Sequence, residues 1–148
     1  MKKFVFSNES YLKIKNDEHE RLKRELENAD RDIEALDGAI LHNDEKVREE
    51  SERQERDCAQ GVTVDTLMMY QNFFLFMRED RKKLARAREK RMAEREETQQ
   101  TLFKVHNQIR VLEEMKEEQY AEYMKEAAKE EAKDLDTVLS FSIHESAM

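Results

Sequence analysis

The chain has 148 residues, of which 42% are charged and 38% hydrophobic, with 2 Gly, no Pro, no Trp and a formal net charge of -8. So little apolar material and so little punctuation exclude an ordinary globule, leaving a disordered polyampholyte or long helices with a narrow apolar seam. Net acidity speaks against nucleic acid as the main partner, because binding phosphate needs a basic surface.

The first helix is expected over about residues 8–59. Ser7 is placed to cap it, Glu9 suits the positive end of the helix dipole, and Phe6 and Tyr11 stand at the two positions of a hydrophobic staple. Leu22, Leu26, Ala29, Ile33, Leu36, Ile40 and Val47 then recur at steps of four and three, with Asn43 filling the one gap. A heptad seam held over roughly four repeats decides for helix over disorder. Acid-before-base pairs at i,i+4 should add a few tenths of a kcal/mol each: Glu20–Arg24, Glu27–Arg31, Asp44–Arg48, Glu49–Arg53 and Glu52–Arg56. Gly38 lies off the seam and costs about 1 kcal/mol relative to Ala.

Gln60-Gly61-Val62-Thr63 is the one plausible break, a turn at about 60–63. Gly61 can end a helix in the left-handed conformation and Thr63 can cap the next, with Asp65 in its first turn. A turn this tight makes the helices antiparallel neighbours. The expected fold class is therefore all-α, a long two-helix antiparallel coiled-coil hairpin forming a single domain over 1–148. The second helix should run over about 64–137, with a seam at Tyr70, Phe74, Met77 and Leu84. That seam weakens through a basic middle and returns at Leu102, Val105, Ile109 and Leu112. Residues 138–148 show no periodicity and are expected to be disordered.

No catalytic, cofactor-binding or metal-binding residue is expected. Phosphate loops, nucleophile elbows and spaced Cys/His clusters are all missing from the sequence, and His19, His42, His106 and His144 are scattered. The lone Cys58 cannot form an intrachain disulfide, fits a reducing compartment and reads as a small apolar filler. The first residues do not read as a signal peptide, and no run of about 18 apolar residues would span a membrane. The expectation is a cytoplasmic protein.

Three stretches stand out. Residues 67–77 are apolar all round except Gln71 and Asn72, more than one partner helix can cover, so the surplus should bind a partner, unless a second copy or the turn and the end of the first helix fold over it. Tyr70, Phe73, Met77 and Leu84 are the residues expected to carry that contact. The basic run from Arg78 to Arg95 reads either as a solvated face neutralised by the acidic first helix or as a receiver of an acidic partner. Beyond Val111 the chain carries 11 acidic and 4 basic side chains, with Glu–Glu neighbours at i,i+4 that are mildly destabilising unless a basic surface holds them.

Lys3-Phe4-Val5-Phe6-Ser7 followed by Leu12, the turn at Gly61, Tyr70-Gln71-Asn72-Phe73 just after it and Leu135-Asp136 near the end together resemble the FliJ family of flagellar type III export proteins. More distantly they resemble the stalk proteins of injectisomes. The resemblance spans nearly the whole chain. It implies a non-enzymatic stalk similar to the central γ subunit of rotary ATPases, associated with the cytoplasmic face of the membrane export apparatus. The paired termini would enter the hexameric flagellar export ATPase, through Glu118, Glu122, Glu126 and Glu130. The turn-proximal residues Tyr70, Phe73, Met77 and Leu84 would meet the cytoplasmic region of the export gate protein. Export chaperones are further implied partners. Two other classes compete: a structural coiled-coil scaffold that dimerises through 67–77, and a surface-bound amphipathic helix, disfavoured because 67–77 lacks a basic polar face.

Overall fold

The computed structural model describes residues 2–147. They form two helices, α1 over Glu9–Gln60 and α2 over Val64–Ala147, an all-α antiparallel hairpin with no strand among the described residues. Gly61 takes φ 93, a conformation that L side chains resist, and its amide donates to the Cys58 carbonyl at 3.3 Å. Thr63 then starts α2: its hydroxyl accepts from the Thr66 amide at 3.2 Å and its carbonyl from the Leu67 amide at 3.2 Å.

The start of α1 differs from expectation by one residue. The Glu9 amide closes a turn onto the Phe6 carbonyl at 3.2 Å, so Asn8 becomes the flanking residue and its carbonyl accepts from Leu12 at 2.9 Å. That shift changes the staple as well. Phe6 and Leu12 are buried, whereas Tyr11 is 48% exposed and has the Lys15 ammonium 5.5 Å from its ring centre. At the other end, α2 continues to Ala147 where the sequence reading stopped it near 137. No Gly or Pro interrupts that stretch, and the Thr137 and Ser146 hydroxyls donate back to the Lys133 and Ser142 carbonyls at 2.9 and 3.0 Å. Every residue from 128 to 147 is exposed.

The chain divides into two compact units, Arg21–Leu102, which holds the turn, and Met1–Glu20 with Phe103–Met148, which holds the termini. In the turn unit Leu22, Ala29 and Ile33 of α1 and Tyr70 and Met77 of α2 are buried, with Leu26, Leu36, Ile40, Val47, Phe74 and Leu84 half-buried beside them. In the terminal unit the buried residues are Phe6 and Leu12 against Val105, Ile109 and Leu112. Among the described residues no large side chain falls below 2% exposure, as a seam of two helices covers each knob on one side only.

Asn43 occupies the seam and is 3% exposed. Its side-chain amide donates to the Met77 carbonyl at 3.0 Å and to the Asp80 carboxylate at 3.3 Å, while its Oδ1 has no partner among the described residues. A seam asparagine sacrifices stability but fixes register, since a slip would bury both its polar atoms unpaired.

Candidate functional site

Four of the nine cations in the basic run from Arg78 to Arg95 are used inward, toward α1. Continuing the spacing of Phe74 forward by sevens gives Arg81, Arg88 and Arg95 before it reaches Leu102, so α2 places guanidinium groups where a seam would carry leucine. Stepping back along α1 by sevens gives Asp44, Asp37 and Asp30, and the six residues pair in that antiparallel order. Arg81 Nε donates to Asp44 at 2.8 Å, Arg88 pairs with Asp37, and Arg95 pairs with Asp30. Arg91 adds a fourth crossing, to Asp32 at 2.9 Å, and also holds Glu94 at 2.7 Å. The arginine stems can lie along the apolar seam of α1 while their heads reach its flanking carboxylates.

The charges answer to these contacts. The Arg81 hydrogen bond holds the Asp44 carboxyl below its ordinary range, with burial opposing and the Arg81 charge helping. Arg81 is raised in turn, first by its hydrogen bond to Asp44. Arg91 is raised first by its hydrogen bond to Glu94 and then by Asp32. None of the five acid-before-base pairs expected in α1 forms among the described residues; Asp44, expected on Arg48, is drawn across to Arg81. Within α1 the ion pairs among the described residues are instead Lys15–Glu18, Arg21–Glu25, Arg48–Glu52 and Arg53–Glu50, with His19 Nδ1 3.8 Å from Glu20.

Beside the turn, the four residues singled out from the sequence are placed toward α1. Tyr70 and Met77 are buried; Phe73 and Leu84 are half-buried. The Tyr70 hydroxyl donates to the Asp57 carboxylate, and its ring stacks on Phe74 with centroids 6.4 Å apart. The Asp57 hydrogen bond, with burial and the charges of Asp57 and Glu50, pushes the Tyr70 phenol up to about 12, against a smaller lowering by Arg53. A groove of about 360 Å³ opens there, lined by Glu50, Arg53, Thr66, Met69, Tyr70 and Phe73.

The apolar residues left open are Val64, Leu67, Met68, Met69, Leu75 and Phe76, with Met69 72% and Phe76 68% exposed. The sequence held the signal for this. Tyr70, Met77 and Leu84 are one heptad apart and belong to the seam, and the same phase turns Met69 and Phe76 outward.

In the terminal unit Glu118, Glu122, Glu126 and Glu130 form an exposed i,i+4 row on α2. Glu126 lies 3.7 Å from Lys129, and Glu126 and Glu130 border a groove with Lys2, Tyr123 and Ala127. Beside it Lys2, Phe4 and Glu9 contact α2. Phe4 meets Tyr120 edge-on at 5.1 Å and Tyr123 at 5.4 Å, the Tyr123 hydroxyl donates to the Lys2 carbonyl at 2.6 Å, and Lys116 pairs with Glu9 at 3.0 Å. From the sequence Tyr120 and Tyr123 read as a loose continuation of the α2 seam; that Phe4 packs on them is what the sequence does not show.

The His19 and His106 rings face each other with centroids 6.0 Å apart, and no group of three or more metal-type side chains converges among the described residues. Cys58 is exposed, so it is not the apolar filler that the sequence suggested. No helix of the described residues is long and apolar enough to cross a membrane.

Comparison with curated proteins and with solved structures returned no match. A family model described as "Flagellar FliJ protein" does match, over residues 9–147, which is both helices and the turn between them. The chain belongs to the FliJ family, and with it to the components of the flagellar protein export apparatus.

Proposed function

We propose that the protein is a non-enzymatic stalk of the export apparatus, acting on the cytoplasmic face of the membrane and linking the hexameric export ATPase to the export gate. The observation that carries this reading is the open apolar face of α2 beside the turn, at Val64, Met68, Met69, Leu75 and Phe76, which α1 leaves uncovered. Exposed aromatic and Met side chains in a contiguous patch are what protein interfaces use. The gate protein is its proposed partner, and the groove beside Met69, Tyr70 and Phe73 is continuous with it.

The acidic row Glu118–Glu122–Glu126–Glu130 is the proposed contact with the ATPase ring. Several equivalent subunits must share one asymmetric stalk there, so binding should be electrostatic and weak, and screened over about 8–10 Å at physiological salt. Export chaperones are a further proposed class of partner.

Truncation after Gln119 tests both halves at once. The shortened protein should lose stimulation of the purified ATPase and keep its binding to the gate protein's cytoplasmic region. Equal stimulation by the truncated and full chains would remove the acidic row from the mechanism. The rival reading, a scaffold that dimerises through 67–77, requires a mass that doubles with concentration in light scattering.

A further inference from the structure

The arginines on the seam are spoken for, whereas Arg78, Lys83, Arg86 and Lys90 have no ion pair among the described residues, and Arg78 stands apart from the other three. Lys82 pairs with Glu79 at 3.3 Å, and Arg81, Arg88, Arg91 and Arg95 pair across to α1. Lys83, Arg86 and Lys90 are exposed and have no carboxylate within ion-pair distance among the described residues. They are not scattered. Met69, Asn72, Phe76, Glu79, Lys83, Arg86 and Lys90 follow one another at alternating steps of three and four, on the side of α2 away from the seam.

This is a second heptad stripe, and α1 does not cover it. Its first half carries two large apolar side chains, Met69 and Phe76, on either side of the polar Asn72, and its second half is cationic. Glu79, the one acid within it, is already held by Lys82. A stripe with this spacing matches the ridge of another helix, and each half dictates what that helix must carry.

We propose that the outer face of α2 from Met69 to Lys90 receives an acidic amphipathic helix. Its apolar residues would lie against Met69 and Phe76, and its carboxylates against Lys83, Arg86 and Lys90. The inference rests on the reading of the turn-proximal face as the gate contact, and it deepens that reading: the segment of the gate protein seated here is an acidic helix rather than a purely apolar one. The charge argument is specific to this face. Three free cations at heptad spacing attract carboxylates at heptad spacing, while a solvated basic face would need no such phase. Twenty-two residues of helix are about 33 Å long, and contact along one such stripe falls in the small, transient class of interface, below about 1,200 Å². Affinity should therefore be modest and dominated by charge.

The test is binding of the purified cytoplasmic region of the gate protein to the full chain, measured by calorimetry at low and at moderate salt. Wild-type binding should weaken as salt rises. The triple reversal K83E/R86E/K90E should bind at least about tenfold more weakly at low salt and lose most of the salt dependence. F76S with M69S should weaken binding at both salts and keep the salt dependence. All five side chains are exposed, so circular dichroism and melting should match wild type in both variants, which separates lost contacts from lost folding.

If the gate region binds and the triple reversal changes nothing, the acidic helix is overturned and the gate contact stands on apolar residues alone. If the gate region does not bind the wild type, the gate reading and this inference fall together. A parallel arm uses vesicles of phosphatidylcholine with phosphatidylglycerol. Binding to those vesicles that depends on the three cations, without binding to the gate region, would show the stripe to be a lipid-surface site and overturn the proposal.

Discussion

Two neighbouring stretches of α2 invert the usual rule. Residues 64–77 are nearly free of charge, yet Val64, Met69 and Phe76 are as open as surface lysines; residues 78–95 are dense in arginine, yet four of those arginines are turned to α1. Composition does not decide which side chains a two-helix hairpin covers. Phase does, because α1 offers one stripe and only α2 residues in step with that stripe can reach it. Where the phase falls on arginine, the hairpin accepts arginine and supplies aspartate to meet it. Where apolar residues fall outside the phase, they stay exposed.

The sharpest way to break this comparison is to truncate two adjacent residues of the apolar stretch. Met77→Ala, at 6% exposure, should cost about 2–4 kcal/mol in urea unfolding followed at 222 nm. Phe76→Ala, at 68% exposure, should stay within about 0.5 kcal/mol of wild type. Equal losses would mean that phase does not separate the two faces.

The two glycines sharpen the same point in the backbone. A Cβ added at either meets nothing within 4 Å, so space does not distinguish them. Gly61→Ala should cost about 1–2 kcal/mol, because only its left-handed conformation joins α1 to the turn. Gly38→Ala should instead stabilise by about 0.5–1 kcal/mol, since an exposed helix interior favours alanine. The opposite signs should be visible as opposite shifts of the urea midpoint.

The smallest effects are in pH, and the two stretches should respond at opposite ends of the scale. Asp44 is held below the ordinary carboxylate value of 3.8, so its pair with Arg81 contributes stability that is present above that value. The contribution fades as pH falls through the depressed value, and Asp44→Asn should remove that part of the acid sensitivity. Tyr70 is raised from 10.0 to about 12, so its bond to Asp57 contributes below pH 10 and is lost as pH climbs toward 12. Absorbance at 295 nm should show one phenolate step arriving near pH 12, and Tyr70→Phe should abolish that step.

Much of this fold is legible in the sequence. Both helices and the turn were legible because their signals are local: Leu22 to Val47 keep one period, and Gly61 and Thr63 carry cap chemistry that needs no neighbour beyond a few residues. The partner-facing residues were harder. Tyr70 and Met77 are legible both as seam and as candidate interface, and α1 buries both, whereas Phe73 and Leu84 are half-buried and leave part of each side chain open to a partner. Ser7 and Tyr11 were misplaced by one residue of register, a shift set by the Glu9–Phe6 turn rather than by residue type.

By itself, then, the sequence determined two long helices, their antiparallel order and the seam of each, since helical period and capping act within a turn or two of the chain. The tertiary structure alone decided where each arginine would go. An arginine with acids at several spacings along its own helix and across the seam has no preferred partner until the register is fixed. Asn43, bonded to the Met77 carbonyl and the Asp80 carboxylate from inside the seam, helps to fix it.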